Sequence, residues 1–116
     1  MSKSSEAPET PARGRRLPQP TVDSIDLSNV LSALADPVRL EIMRDLYANG
    51  EPIDCAAIAS RMPVTASTVS HHWRVLREAG LTSTVAEGRK RIIRVRQDDL
   101  EQRFPGLLKA VLGPPA

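Results

Sequence analysis

The sequence has few aromatic residues and a single cysteine. One Trp, one Tyr and one Phe among 116 residues are too few for the stacking platforms that hold single-stranded RNA. Because Cys55 is the only cysteine, no intramolecular disulfide can form, which suits a reducing compartment. No apolar run approaches a signal-peptide core or the ~20 residues of a membrane span. We therefore expect a cytoplasmic protein.

Motifs of the common enzyme classes are also missing. The chain has no glycine-rich phosphate loop, no Ser/His/Asp order and no HExxH-like metal motif. A catalytic pair of Cys55 with a histidine would need fortuitous geometry. The sequence predicts no enzymatic activity and no cofactor that the fold requires.

Composition predicts one small domain between two unstructured ends. Residues 1–20 are rich in proline and arginine and poor in large apolar side chains, so we expect a disordered tail. Residues 113–116, Gly-Pro-Pro-Ala, are predicted to be flexible. The domain is assigned to residues 21–112, a size at which oligomerisation often supplements a modest core.

Charge is distributed unevenly although the net charge is only +2. Residues 61–96 carry eight basic and two acidic side chains, whereas residues 21–60 carry two basic and seven acidic ones. A basic block beside an acidic remainder is typical of a nucleic-acid-binding protein, although a solvated surface of ordinary composition would also fit.

The basic block begins with a predicted amphipathic helix at about 66–79. Val69, Trp73 and Leu76 recur at helical spacing on its apolar side. Thr65 or Ser67 can cap the helix. The other side carries hydrogen-bond donors and cations, with no acid before Glu78: Ser67, Thr68, Ser70, His71, Arg74 and Arg77. Such a face suggests an acceptor-rich partner such as DNA.

Three shorter helices are predicted before this one. Ser24 or Asp26 can cap the first, and Asp36-Pro37 opens the second, which Asn49-Gly50 ends. Asp54 can cap a short third helix. Two helices joined by a tight turn, the second presenting donors, fit a helix-turn-helix, although an ordinary helical hairpin would also fit.

A β-hairpin is predicted after Gly80. Residues 81–85 and 91–96 are β-prone, and the basic turn 87–90 lies between them. Alternation places Ile93 and Val95 on one face and Arg94 and Arg96 on the other. A basic hairpin directly after the donor-rich helix is a wing, able to contact phosphates beside a groove, and it strengthens the DNA hypothesis.

A last helical region should begin at Asp98 or Asp99, with a kink or restart at Pro105-Gly106. Its apolar residues and those of the first helix exceed what a small domain can cover, so we predict a dimer contact, with packing onto the same domain as the alternative. The predicted interface residues are Leu27, Val30, Leu31, Leu34, Leu107, Leu108, Val111 and Leu112.

The motifs at 34–43 (LADPVRLEIM), at 67–81 (STVSHHWRVLREAGL) and at 88–95 together resemble the ArsR/SmtB family of winged helix-turn-helix repressors. The resemblance implies a mainly α fold with a small β-hairpin: four helices, a wing and a last helix. It also implies a homodimer, formed through the first and last helices, that binds a double-stranded operator. The recognition helix would lie in the major groove and the wing, 86–94, on the backbone. The DNA-binding residues predicted in this way are Thr65, Ser67, Thr68, Ser70, His71, Arg74, Arg77, Arg89, Lys90 and Arg91.

Two alternatives concern what such a regulator senses. Family members often bind metals through cysteines on the third helix, but the matching triplet here is Asp54-Cys55-Ala56. His71 and His72 are the remaining candidates for a divalent transition metal such as nickel or zinc, although adjacent helical residues point about 100° apart. Cys55 could respond to oxidants or simply be packed in the core.

Two further hypotheses stay open. The basic residues at 13–16 could lie along DNA phosphates or enter a minor groove, or serve only as a solubilising leader. A winged helix that binds only protein is a remote alternative, and it would leave the basic block 61–96 unexplained.

Overall fold

The structure is a computed structural model that describes residues 14–62 and 64–113. The helices are α1 (Leu27–Leu34), α2 (Pro37–Asn49), α3 (Cys55–Ala59), α4 (Ala66–Glu78), α5 (Gln97–Arg103) and α6 (Leu107–Leu112). The strands are β1 (Gly14–Arg16), β2 (Ile53–Asp54), β3 (Thr82–Glu87) and β4 (Lys90–Val95). They form one antiparallel sheet in the order β1-β3-β4-β2. The predicted mainly helical, winged helix-turn-helix fold is confirmed.

Each of the first four helices begins with a side-chain cap. The cap accepts a hydrogen bond from a backbone N–H group of the first turn, which has no partner within the helix. Asp26 caps α1, and Asp36 accepts hydrogen bonds from the N–H groups of Val38 and Arg39 at 3.0 Å. Asp54 caps α3 and Thr65 caps α4. The predicted caps are confirmed. Where the sequence left two candidates, Asp26 rather than Ser24 caps α1, and Thr65 rather than Ser67 caps α4.

The hydrophobic core is centred on α2. Its Ile42, Met43 and Leu46 are buried and pack with the inner sides of the other helices and with Ile93 of β4. Val69, Trp73 and Leu76 attach α4 to this core, as their spacing predicted. The donor-rich side of α4 is thereby turned away from the protein interior.

The prediction that all of residues 1–20 are disordered is wrong at the end of that segment. Gly14, Arg15 and Arg16 form β1, which pairs with Glu87, Ala86 and Val85 of β3. The N–H of Leu17 continues the pairing with a hydrogen bond of 2.9 Å to the carbonyl of Thr84. The backbone groups of β3 supply hydrogen-bond partners to the proline-rich segment. These hydrogen bonds offset the entropy that the segment loses when it becomes ordered. Residues 1–13 and 114–116 lie outside the described residues, so their predicted disorder stays a prediction.

The last helical region is two helices that meet at Pro105-Gly106. Arg96, and neither Asp98 nor Asp99, occupies the position before α5, while both aspartates lie in its first turn. The predicted cap is therefore wrong. Gly106 has φ +83° at the start of α6, so the predicted restart is confirmed. A proline in the turn cannot continue the α5 hydrogen bonds.

Arg96 is buried, not exposed beside Arg94 as the strand alternation predicted. Its Nε lies 3.0 Å from Oδ2 of Asp99 and its Nη1 donates to the carbonyl of Pro20 at 2.7 Å. The strand ends at Val95, so the alternation no longer applies at Arg96. The ion pair and the carbonyl supply the partners that a buried guanidinium needs.

Four of the eight predicted dimer residues are covered within the chain itself. Val30, Leu34, Leu108 and Leu112 belong to the core, so the structure contradicts their assignment to a surface facing a partner. Helical periodicity found the apolar stripe but did not show which part faces the protein's own α2. Leu107 and Val111 are half-buried, and Leu27 and Leu31 are 43% and 46% exposed.

Candidate nucleic-acid interface

Helices α3 and α4 form a helix-turn-helix whose second helix has one exposed polar face. Of the predicted DNA-binding residues on or beside α4, six are exposed: Thr65, Ser67, Thr68, Ser70, His71 and Arg74. The buried side of the same helix holds Val69, His72, Trp73 and Leu76. None of the six exposed residues is an acid. The face therefore offers hydrogen-bond donors to a partner that is rich in acceptors.

Hydroxyl groups cluster at the amino end of α4. The Oγ1 of Thr65 accepts a hydrogen bond from the N–H of Thr68 at 3.2 Å, and it lies 2.9 Å from Oγ1 of Thr68 and 3.3 Å from Oγ of Ser67. This network fixes the first turn of the helix. The amino end of a recognition helix is the part that meets base edges in helix-turn-helix complexes, and the helix dipole there favours phosphate.

His71 and Arg74 form an exposed pair one turn further along α4. A guanidinium has no acceptor, so Nη2 of Arg74 donates toward Nδ1 of His71 at 3.4 Å. The contact orients a flexible cation along the polar face. The arrangement leaves the other ring nitrogen of His71 for a partner.

His72 lies on the opposite side of α4 and is 7% exposed. Nη1 of Arg39 donates to its Nδ1 at 3.2 Å. Burial lowers the pKa of His72 below its usual value, with the charge of Asp36 opposing this effect. The neutral imidazole that burial favours is the form that can accept the Arg39 hydrogen bond. His72 is thus a buried, hydrogen-bonded histidine rather than an exposed one.

Arg39 connects the recognition helix to the start of α2, a positioning role that the sequence did not reveal. Its Nε donates to the carbonyl of Ala33 at 2.7 Å, and its own N–H is bound by Asp36. Hydrogen bonds from the N–H groups of Arg39 and Val38, together with the Arg39 charge, lower the pKa of Asp36 below its usual value in spite of partial burial. No periodicity of α2 marks this role, because the partner lies 33 residues away.

The predicted basic hairpin is present, but its pairing continues to Glu87 and Lys90, so the turn is shorter than the predicted 87–90. Glu87 pairs with Lys90, and Gly88, at φ +62°, and Arg89 form the two-residue turn. The three predicted phosphate-contacting residues Arg89, Lys90 and Arg91 are all exposed. The tip of the wing is therefore a compact group of cations held by a tight turn.

Strand β1 makes the wing three-stranded and adds two exposed arginines, Arg15 and Arg16, that are not among the predicted DNA-binding residues. Residues directly opposite one another share a face of a sheet, so Arg15, Ala86 and Arg91 form one row across β1, β3 and β4. Arg16 lies on the other face, in the row of Val85 and Ile92. The arginine-rich composition of the tail was the available signal; its strand register was not.

Arg77 differs from the other predicted DNA-binding residues. It is half-buried, and its Nε donates to the carbonyl of Pro18 at 3.1 Å. Together with Arg96 and with Arg103, which donates to the carbonyl of Ile25, it holds the segment between β1 and α1 against the domain. The structure thus gives Arg77 a partner within the chain.

Cys55 lies at the start of α3 and is buried. Burial, and then the charge of Asp54, raise the pKa of the thiol to about 12 despite the nearby guanidinium groups of Arg91 and Arg77. Since the thiolate is the reactive form, a thiol with so high a pKa is a poor oxidant sensor. The geometry favours the alternative of a packed core cysteine.

The two adjacent histidines do not converge on one point. Their ring centroids are 5.9 Å apart, the planes are tilted by 49°, and Nδ1 of His72 is engaged by Arg39. In the described part of the chain, no three His, Cys, Asp or Glu side chains are grouped to hold a metal ion. The metal-responsive alternative therefore gains no support from the described residues.

The architecture defined by these elements is that of a winged helix-turn-helix DNA-binding protein. Comparison with known proteins agrees: a family model described as a helix-turn-helix domain matches residues 34–85. In residues 14–62 and 64–113, no helix has the length and apolar character to cross a membrane.

Two similar proteins indicate which kind of helix-turn-helix protein this chain is. The chain is 33% identical, over 84 residues, to an uncharacterized HTH-type transcriptional regulator YceK of Bacillus subtilis, covering 72% of this chain and 84% of that protein. It is also 33% identical over 76 residues to an arsenical resistance operon repressor of Staphylococcus xylosus, covering 66% of this chain and 71% of the repressor.

Solved structures give the same picture. An ArsR-like transcriptional regulator from Rhodococcus sp. RHA1 superposes with a TM-score of 0.58 at 27% identity, over 72% of this chain and 77% of that one. Reduced HlyU from Vibrio cholerae shares the fold, with a TM-score of 0.56 at 24% identity over 72% and 84% of the two chains. The chain belongs to the ArsR family of helix-turn-helix regulators and is a DNA-binding transcriptional regulator. Its relatives are regulators rather than enzymes.

Proposed function

We propose that the protein acts in the cytoplasm as a homodimeric repressor of a promoter. Each subunit would read one half-site of a palindromic operator, with half-site centres about one helical turn (~34 Å) apart. Ser67, Thr68, Ser70 and His71 would meet base edges in the major groove. Arg74 and the wing cations Arg89, Lys90 and Arg91 would contact phosphates.

The observation that carries this proposal is the exposed face of α4. The six exposed polar residues from Thr65 to Arg74 offer hydroxyl, imidazole and guanidinium groups, and none of them is an acid. His72 and Trp73 hold the buried side of the helix against the protein interior. The polar face is therefore exposed to DNA without rearrangement. Preorganised donors lose less side-chain entropy on binding.

We propose a dimer contact that is smaller than the eight residues predicted from the sequence. Leu27 and Leu31 are the large hydrophobic side chains that stay exposed among the described residues. They lie one helical turn apart on α1. Leu107 and Val111 of α6 are half-buried and complete the proposed contact. A second copy of the chain would cover this apolar surface in the way a closed two-fold interface requires.

The test is selection of binding sites from a random duplex pool, followed by fluorescence anisotropy on the selected sequence. The expected consensus is an inverted repeat. Ser67→Ala and His71→Ala should each change the preferred bases at defined positions, because they remove base-edge contacts. Ser32→Ala, at an exposed serine of α1, is the matched control and should leave the preference unchanged. Failure to enrich any sequence would contradict the proposal.

A further inference from the structure

A cleft of about 290 Å³ separates the recognition helix from the wing. One wall is apolar and comes from two helices and a connecting segment: Cys55 of α3, Val69 and Trp73 of α4, and Leu17, which follows β1. Ligand pockets in proteins are commonly about 300–1,000 Å³. The volume therefore suits a small molecule and is too small for a dinucleotide cofactor.

The polar side chains of the cleft come equally from α4, with Ser70 and Arg77, and from the wing, with Thr84 and Arg91. Thr84 of β3 is 2% exposed, and its Oγ1 has no hydrogen-bond partner among the described residues. It pairs with Ile93, two residues from Arg91 on β4, so Thr84 and Arg91 lie on the same face of the sheet. Both line the cleft. The hydroxyl of Thr82 on the same strand is also without a partner, but only Thr84 lines the cleft, where a ligand can supply one.

The charge of the cleft has one sign. Arg77 and Arg91 line it, and none of the described lining residues is an acid. Nε of Arg77 donates a hydrogen bond to the carbonyl of Pro18. A guanidinium carries five N–H donors, so this bond does not exhaust those of Arg77. The cleft therefore combines an apolar wall with two cations and one unpartnered hydroxyl, which is complementary to a small molecule with a hydrocarbon body and a carboxylate.

We propose that this cleft binds an amphipathic monocarboxylate, with its hydrocarbon part against Val69 and Trp73 and its carboxylate at Arg91 and Thr84. The consequence for regulation rests on the proposed function. A carboxylate on Arg91 competes with a DNA phosphate for the same guanidinium. A ligand wedged between α4 and the wing also fixes the angle between the two elements that contact DNA. Binding is therefore expected to weaken operator affinity, because an Arg91 that holds the carboxylate is lost to the DNA phosphate.

The direct test uses octanoate and the fluorescence of Trp73, the only tryptophan in the chain and a wall of the cleft. Octanoate titrated into the full chain without DNA should give a saturable change in emission. Octylamine, with the same chain length and the opposite charge, should not. Equal responses to the two compounds, or no saturable response to octanoate, would overturn the proposal.

Variants assign the polar contacts. Arg91→Gln should weaken octanoate binding by about tenfold or more, the usual worth of a charge-assisted hydrogen bond, and Thr84→Val should weaken it by a smaller factor. Arg94→Gln is the matched control. It removes the same charge from the same strand, but Arg94 alternates with Ile93 and lies on the other face. If Arg94→Gln and Arg91→Gln weaken binding equally, the effect is long-range charge and the assigned site is wrong.

Anisotropy on the selected operator separates this proposal from the proposed function. Octanoate binding that lowers operator affinity supports both. Octanoate binding by a chain that selects no operator supports the cleft and overturns the proposed function. Octanoate binding that leaves operator affinity unchanged overturns the regulatory consequence and keeps the ligand site.

Discussion

Arg39 donates a hydrogen bond from Nη1 to Nδ1 of His72, across 3.2 Å, and thereby joins the start of α2 to the inner side of the recognition helix. The acceptor must be an unprotonated ring nitrogen. A proton on this nitrogen would replace the hydrogen bond with repulsion between two cations.

The first prediction concerns pH. Because burial lowers the pKa of His72 in the folded state, the unfolded chain binds a proton there first, near its ordinary value of about 6.5. The contribution of neutral His72 to stability is complete above that value and is lost as the pH falls through and below it. Urea unfolding, measured between pH 8 and pH 5 at intervals of about half a pH unit, should show this loss of unfolding free energy.

The variant His72→Gln should show a flatter dependence of unfolding free energy on pH. His71→Gln is the matched control and should keep most of the wild-type slope, because it leaves His72 buried and removes only the smallest of the effects on its pKa. If His72→Gln retains the full slope below pH ~6.5, another group is responsible.

The second prediction concerns the wing. Arg89→Ala or Lys90→Ala should weaken binding by about the same factor on the operator and on unrelated duplexes, because phosphates carry no direct sequence information. The slope of log affinity against log salt should fall by about one unit for each lost phosphate contact. Lys109→Ala, at an exposed cation of α6, should change neither quantity. A change in base preference would show that the wing reads bases.

The third prediction concerns assembly. Leu31→Asp places a charge on the proposed dimer surface and should convert the dimer to a monomer in light scattering, since an unpaired charge is costly to bury. Ala48→Asp, at an exposed position of α2, should leave the dimer intact. Both sites are exposed in the single chain, so circular dichroism should show folded protein for each. A dimer that survives Leu31→Asp would place the interface elsewhere.

The fourth prediction concerns Gly80, just after α4. Gly80 has φ +90°, and a Cβ built there lies 2.7 Å from Cγ1 of Ile25. Gly80→Ala should therefore combine the left-handed backbone cost of about 1–2 kcal/mol with an overpacking cost of about 1–3 kcal/mol. Gly106→Ala isolates the first of these costs, because its φ is +83° and no atom lies within 4 Å. Equal losses of unfolding free energy for the two variants would mean that Ile25 yields without cost.

Local chemistry explains which parts of the fold could be predicted from the sequence. The Asp36-Pro37 start of α2 and the Asn49-Gly50 end depend on residues within one or two turns, and the spacing of Val69, Trp73 and Leu76 already orients α4. The donor-rich face followed from that orientation. These features were predictable because neighbours in the sequence determine them.

The parts that could not be predicted depend on contacts between distant residues. Arg15 is paired with Ala86, and the carbonyl of Pro20 receives Arg96; no spacing within either segment encodes these contacts. The apolar stripe that contains both Leu27 and Val30 was visible, but only the packing shows that Val30 is buried and Leu27 exposed. The cleft beside Thr84 exists only once α4 and the sheet are together.

Strand β1 also has a bearing on solubility. Without it, β3 would be the outer strand of the sheet and would present unpaired N–H and C=O groups along the β-prone segment Thr82–Glu87. Exposed strand edges template pairing between molecules. A truncated chain that starts after Arg16 would retain the recognition helix and the cationic tip, yet it would carry an open edge through which molecules aggregate.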